Sequence, residues 1–272
     1  MDGFGKLIAG TGDLLGIEGL EPDADGVCIL ESEEAQILVI DCPEAGDMVF
    51  VTATLMPVLD DASSAYLAAL DANHRFKGTR GGTVSLDSAN DTLVLSRYVP
   101  LDSLTPESFV ALLEEFSSVL ICLRDTLCDT GETRSRASAD EQESVPHDSI
   151  DTINLDDLPL ELDRMADDSI IAIAELGALD AGEDGDAPIL REFMEANHLF
   201  AGTAGATLSI ERDTRHAFLQ QALYTPPGND EDWLPRRLAI FAGKATEWKT
   251  HLEKKDAPPD GLPPFSGNFM QV

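Results

Sequence analysis

Residues 71–86 read DANHRFKGTRGGTVSL, and residues 195–210 read EANHLFAGTAGATLSI. Nine of the sixteen positions are identical at a constant offset of 124. A chain that repeats itself this closely is built from two copies of one unit, and the two copies must share a fold. The match runs further in both directions. Upstream, DMVFVTATL at Asp47–Leu55 aligns with DSIIAIAEL at Asp168–Leu176 at offset 121. Downstream, Phe109, Leu113, Phe116, Leu120, Leu123 and Leu127 fall on Leu234, Leu238, Phe241, Ala245, Trp248 and Leu252 at offset 125. Those six positions form one face of a helix, kept in phase in both copies.

In copy one, Phe4, Leu7, Ile8, Leu14, Leu15 and Ile17 follow helical spacing. Val27–Leu30 and Ile37–Ile40 are expected as strands around an acidic turn. Val49–Leu55 is expected as a third strand, with Val49, Val51, Ala53 and Leu55 on one face and Phe50, Thr52 and Thr54 on the other. An Ala/Leu-rich helix covers roughly 62–73 and ends in a turn at Gly78, Gly81 and Gly82. A hairpin follows at Thr83–Leu86 and Leu93–Tyr98. A long helix begins behind Thr105 as cap, with Pro106 at its first position. The fold class is α+β, in the order α-β-β-β-α-β-β-α. Copy one spans 1–127 and residues 128–167 are expected as an acidic linker, of which 128–149 is rich in Ser, Asp, Glu and Thr and 150–165, with some Leu and Ile, is open to being a remnant strand or helix. Copy two is expected over 168–255, truncated to β-α-β-β-α, before a proline-rich tail at 256–272.

Most chemistry is disfavoured. With 51 acidic against 18 basic residues, a net charge of −33, the surface repels nucleic-acid phosphates and anionic membranes. No apolar run approaches the roughly 20 residues a membrane helix needs, so no membrane insertion and a cytoplasmic location are expected. Cys28, Cys42, Cys122 and Cys128 form no CxxC pair and are expected as buried, reduced thiols. His74 and His198 follow Asn at a helix end, where a His can cap the last carbonyls. GTRGGT and GTAGAT lack the GK[ST] of a phosphate loop. Glu21, Asp23, Asp25 and Gly26 start like a calcium loop, but Ser32 stands where the bidentate Glu is needed. No catalytic residue, metal ligand or cofactor is assigned, and the chain is expected not to be an enzyme.

The stretch LAALDANHRFKGTRGGTVSLDSANDTLVLSRYVPLD resembles the CesT/SycE-like family of type III secretion chaperones. The residues that carry the likeness are Leu70, Asn73, Gly78, Gly81, Gly82, Thr83, Leu86, Leu93, Leu95, Pro100 and Leu101, with Asn197, Gly202, Gly205, Thr207 and Leu219 repeating it. The resemblance implies a small acidic chaperone that holds an effector's N-terminal segment in extended form. Family members are usually homodimers, so two units in one chain imply an internal pseudo-dimer and a monomeric chain.

A sheet that is apolar on both faces must cover both or use one, and an exposed patch beside a strand edge can take an extended partner. The expected partner-binding residues are Leu7, Ile8, Leu14, Val27, Ile29, Ile37, Val39, Phe50 and Thr52. The partner is expected to be a protein, either a secretion effector or, in the alternative reading, a folded partner of a regulatory or adaptor protein of the same fold.

Overall fold

In a computed structural model, residues 3–32, 35–42, 47–58, 62–129, 148–155, 157–164, 169–179, 187–225 and 232–254 are described. Copy one contains α1 (Gly3–Leu15), β1 (Val27–Glu31), β2 (Gln36–Cys42), β3 (Met48–Pro57), α2 (Ser63–Asn73), β4 (Thr83–Asp87), β5 (Thr92–Pro100) and α3 (Pro106–Asp129). Its five strands form an antiparallel sheet in the order β1-β2-β3-β5-β4. Period-two alternation decides what each face holds: Val49, Val51, Ala53 and Leu55 turn inward and are at most 4% exposed. At the head of α3, Thr105 Oγ1 accepts the Ser108 N–H at 3.2 Å and Ser108 Oγ accepts the Thr105 N–H at 2.9 Å. This reciprocal cap satisfies two otherwise orphaned donors of the first turn.

Copy two is not truncated to β-α-β-β-α. It contains β6 (Asp148–Leu155), β7 (Leu158–Arg164), β8 (Ile170–Ala178), α4 (Ala187–Asn197), β9 (Thr207–Glu211), β10 (His216–Leu223) and α5 (Trp233–Lys254). The second sheet has the same five-stranded order, β6-β7-β8-β10-β9. The expected linker thus ends in a hairpin. Leu158, Leu160 and Leu162 are 5%, 0% and 8% exposed, while Pro159, Glu161 and Asp163 alternate with them on the other side. The outward positions are acidic, which disguised the strand as linker. Residues 130–147 of that linker and the expected tail lie outside the described residues.

Among the described residues copy two has no counterpart of α1. In copy one α1 lies along α3, whose Leu112 and Val119 are 9% and 7% exposed. The aligned positions of α5 are Arg237 and Lys244, side chains that need no cover.

The two copies agree in detail. Asn73 Nδ2 donates to the Val84 carbonyl at 2.9 Å and its Oδ1 accepts the Val84 N–H at 2.7 Å. Asn197 makes the same pair of bonds to Leu208 at 2.9 and 2.7 Å. Each amide thereby joins its helix end to the start of a strand. After each Asn comes one turn of 3₁₀ helix, His74–Phe76 and His198–Phe200. In each turn two successive non-glycine residues have positive φ: Arg75 and Phe76 at 51° and 54°, Leu199 and Phe200 at 49° and 56°. Such residues are uncommon, and the same pair recurs in both copies. Gly81 and Gly205 follow at φ 89° and 90°, where an L side chain would be strained.

The copies pair with each other. Thr83 and Thr207, equivalent by the 124-residue offset, share a hydroxyl hydrogen bond at 2.7 Å, so a pseudo-two-fold axis passes between them. Around it α2 packs on β9, α4 on β4, and α2 on α4. The fold is therefore an internal pseudo-dimer.

Candidate partner-binding face

The inward face of the first sheet takes four of the nine expected binding residues. Leu7 and Ile8 of α1 and Ile37 and Val39 of β2 are at most 5% exposed and belong to the common core. Their phase in α1 and β2 turns them toward the helix layer. The outward face takes Val27, Ile29, Phe50 and Thr52. Phe50 and Thr52 are buried, at 2% and 3% exposure; the Phe50 ring lies 4.6 Å from Tyr98, and Thr52 Oγ1 meets Ser96 Oγ at 3.0 Å. Ile29 is 50% exposed and Val27 half-buried. Leu14, 52% exposed, stands near the end of α1 with Leu15 and Ile17.

Register completes the face with residues that sequence reasoning missed. Val27 pairs with Ile40 and Ile29 with Leu38, so all four side chains point the same way. Leu38 and Ile40 are half-buried. They lie in the apolar run Ile37–Ile40, whose alternation could have assigned them outward while Ile37 and Val39 went inward. The four form an apolar stripe on β1 and β2. Beyond it, across β3, lies Tyr98, whose ring is 5.0 Å from Phe200 of copy two.

β1 is the outer strand of its sheet. Asp23 closes the beginning of this edge: its N–H bonds the Val27 carbonyl at 2.8 Å, and its Oδ1 accepts the N–H groups of Val27 and Asp25 at 2.8 and 2.9 Å. The stretch that starts like a calcium loop is thus a backbone-capping turn. Because alternate residues of an edge strand turn their main chain outward, Ile29 and Glu31 share the outward phase of Val27.

The matching face of copy two is chemically opposite. The equivalents of Ile29, Leu38 and Ile40 are Thr152, Glu161 and Asp163. Arg75, thrust out by its left-handed turn, bonds Glu161 and Asp163 at 2.6 Å each, and its backbone N–H donates to Gln220 Oε1 at 2.7 Å. The Asp163 side chain is 1% exposed, so this ion pair is screened from water. Beside it Phe76 packs with Ile171 and Ile173, and the His74 ring lies 4.7 Å from Phe218. At the equivalent place over the first sheet stands Leu199, which can form no ion pair. His74 and Phe76 are buried at 2% and 5%, whereas His198 and Phe200 are half-buried. One face is clamped shut by charge, and the other is apolar and more open.

The two histidines do not cap helix carbonyls through their side chains. The Nδ1 atoms of both are buried without a hydrogen-bond partner. Burial, aided by Lys77 and Arg75, pushes His74 down to about 4, and burial also lowers His198. A His held neutral in the fold takes up its proton only on unfolding. Its contribution is therefore complete above about pH 6.5 and shrinks as the pH falls toward 4. Between about pH 6.5 and 5, His74 alone is expected to remove about 2 kcal/mol. Urea unfolding of wild type and His74→Phe across that window checks this: the variant loses the His74 share of the pH dependence, and identical curves would contradict it.

The thiols are free: Cys28 is buried, Cys42 half-buried, and Cys122 and Cys128 are exposed on the outer side of α3, against the expectation of burial. No group of acidic, His or Cys side chains suited to a metal occurs among the described residues, and no described helix is long and apolar enough to cross a membrane.

Residues 6–123 and 161–249 match the model of the Tir chaperone protein (CesT) family. The chain belongs to the CesT family. The two matched segments coincide with the two copies, so this is a CesT unit written twice, and the second match includes most of β7, outside the expected limits of copy two. Among solved structures, the HopA1–SchA chaperone–effector complex is similar at 16% identity and TM-score 0.40, over 45% of this chain and 94% of that one. The ExsC–ExsE complex is similar at 20% identity and TM-score 0.39, over 45% and 92%. The Yersinia pestis type III secretion chaperone SycH, in complex with a fragment of YscM2, is similar at 13% identity and TM-score 0.30, over 47% and 98%. Curated protein sequences give no match.

Proposed function

We propose that this CesT-family chain is a non-enzymatic secretion chaperone that holds one segment of a protein partner in extended form against the outer face of β1 and β2. It works as a monomer in the cytoplasm, its second copy taking the place of a partner subunit. The observation that carries this reading is the apolar stripe of Val27, Ile29, Leu38 and Ile40 beside the outward main chain of Ile29 and Glu31. An extended segment laid along β1 gains main-chain hydrogen bonds that tolerate any sequence, and alternate side chains reach the stripe. Each well-buried aliphatic side chain contributes roughly 1.5–3 kcal/mol, enough for a few contacts to hold a segment that has no fold of its own.

Hydrogen exchange on the chain with and without its captured partner tests this. Protection is expected across Val27–Cys42, and Ile29→Asp, at a position already half in water, is expected to weaken capture about tenfold or more without unfolding the chain. Protection confined to α5 or to β6 would contradict it.

A further inference from the structure

Resting on that reading, we infer that only copy one takes the partner segment, one segment per chain, and that the segment alternates apolar side chains with lysine or arginine. Three observations carry this. First, the equivalents of Ile29, Leu38 and Ile40 in copy two are Thr152, Glu161 and Asp163, so the second face offers no apolar stripe. Second, that face is already occupied from within. Arg75 of copy one makes two ion pairs on it, Phe76 packs against Ile171 and Ile173, and the His74 ring lies against Phe218. Leu199, which replaces Arg75 over the first sheet, binds no charge and leaves the half-buried His198 and Phe200 around an open apolar face.

Third, the open face lies in a one-signed field. No Lys or Arg occurs between Lys6 and Arg75, a stretch holding fourteen Asp or Glu. Glu18, Glu21, Asp23, Asp25 and Glu31 are all exposed, and the last four lead into or end β1. An incoming strand that places apolar residues on the stripe runs along an edge whose approach and end are lined by these exposed carboxylates, which its remaining residues meet. Cationic residues there are attracted and anionic ones repelled, which sets both the rate of encounter and the choice of partner. The distribution of charge differs in copy two, where Arg164, Arg191, Arg212 and Arg215 are interspersed with the acids.

The test uses the full chain and two short synthetic peptides, one alternating isoleucine with lysine and the other alternating isoleucine with glutamate, titrated calorimetrically at two salt concentrations. The expected result is one lysine peptide bound per chain, weakened about tenfold or more by Ile29→Asp, unchanged by Thr152→Asp, and weakened by salt; the glutamate peptide binds at least about tenfold less tightly. Two peptides per chain, or equal losses from Ile29→Asp and Thr152→Asp, would overturn the one-sided assignment while leaving the apolar-face reading intact. Equal binding of the two peptides would overturn the basic character of the partner. Binding of neither, or binding indifferent to Ile29→Asp, would overturn the inference and the proposed function together. Circular dichroism of both variants confirms that a loss of binding is not a loss of fold.

Discussion

Arg75→Met is expected to cost about 3–5 kcal/mol of stability in urea unfolding. The reason lies in Asp163. Its side chain is 1% exposed, one carboxylate oxygen sits 2.6 Å from the Arg75 guanidinium, and the other has no hydrogen-bond partner. Without Arg75 a buried carboxylate has lost its counter-charge. The bond to Glu161 adds less, because that carboxylate reaches water and is screened. Neutralising the whole cluster at once is expected to restore most of the loss. The triple variant Arg75→Leu, Glu161→Leu, Asp163→Ile gives the second sheet's face the side chains that stand at the equivalent places on the first (Leu199, Leu38 and Ile40), and an apolar replacement of a buried ion pair is often neutral or stabilising. A loss below about 1 kcal/mol for Arg75→Met, or a triple variant as unstable as the single one, would show that the ion pairs do not hold the copies together.

Asn73→Asp and Asn197→Asp should each cost about 3 kcal/mol, and by similar amounts. The substitution keeps the shape and removes only the amide donor. At position 73 it would set a carboxylate oxygen against the Val84 carbonyl, and at 197 against that of Leu208, in sites where the asparagines are 0% and 1% exposed. Chemical denaturation of the two variants side by side measures both losses. A large loss at one and none at the other would mean that the copies, alike in geometry, differ in how much they depend on it.

The duplication itself was legible in the residues, because glycine and asparagine positions answer to backbone geometry and keep their identity. Gly81 and Gly205 repeat since both stand at φ near 90°, and Asn73 and Asn197 repeat since each bridges a helix end to a strand. Copy one's elements followed from alternation and helical spacing within a residue or two at most ends. β6 and β7 did not. Their inward residues, Ile153, Leu155, Leu158, Leu160 and Leu162, alternate as a strand's should, but acids and polar residues at the intervening positions gave the stretch a linker's composition.

The candidate face was half legible. Choosing residues by hydrophobicity alone gathered Ile37 and Val39 from the inward side with Ile29 from the outward side. Only register tells which member of an apolar run meets water. The Arg75 clamp could not have been found at all from local pattern, because its partners lie 86 and 88 residues away and meet it only through the pairing of the copies.

One chain contains two CesT units, paired across Thr83 and Thr207. Static light scattering of the full chain over a wide range of concentration tests it most directly. A constant mass of 29.2 kDa is expected, since each copy's pairing surface is already filled by the other. A mass of twice that value, or one that climbs with concentration through exchange of copies between chains, would contradict it.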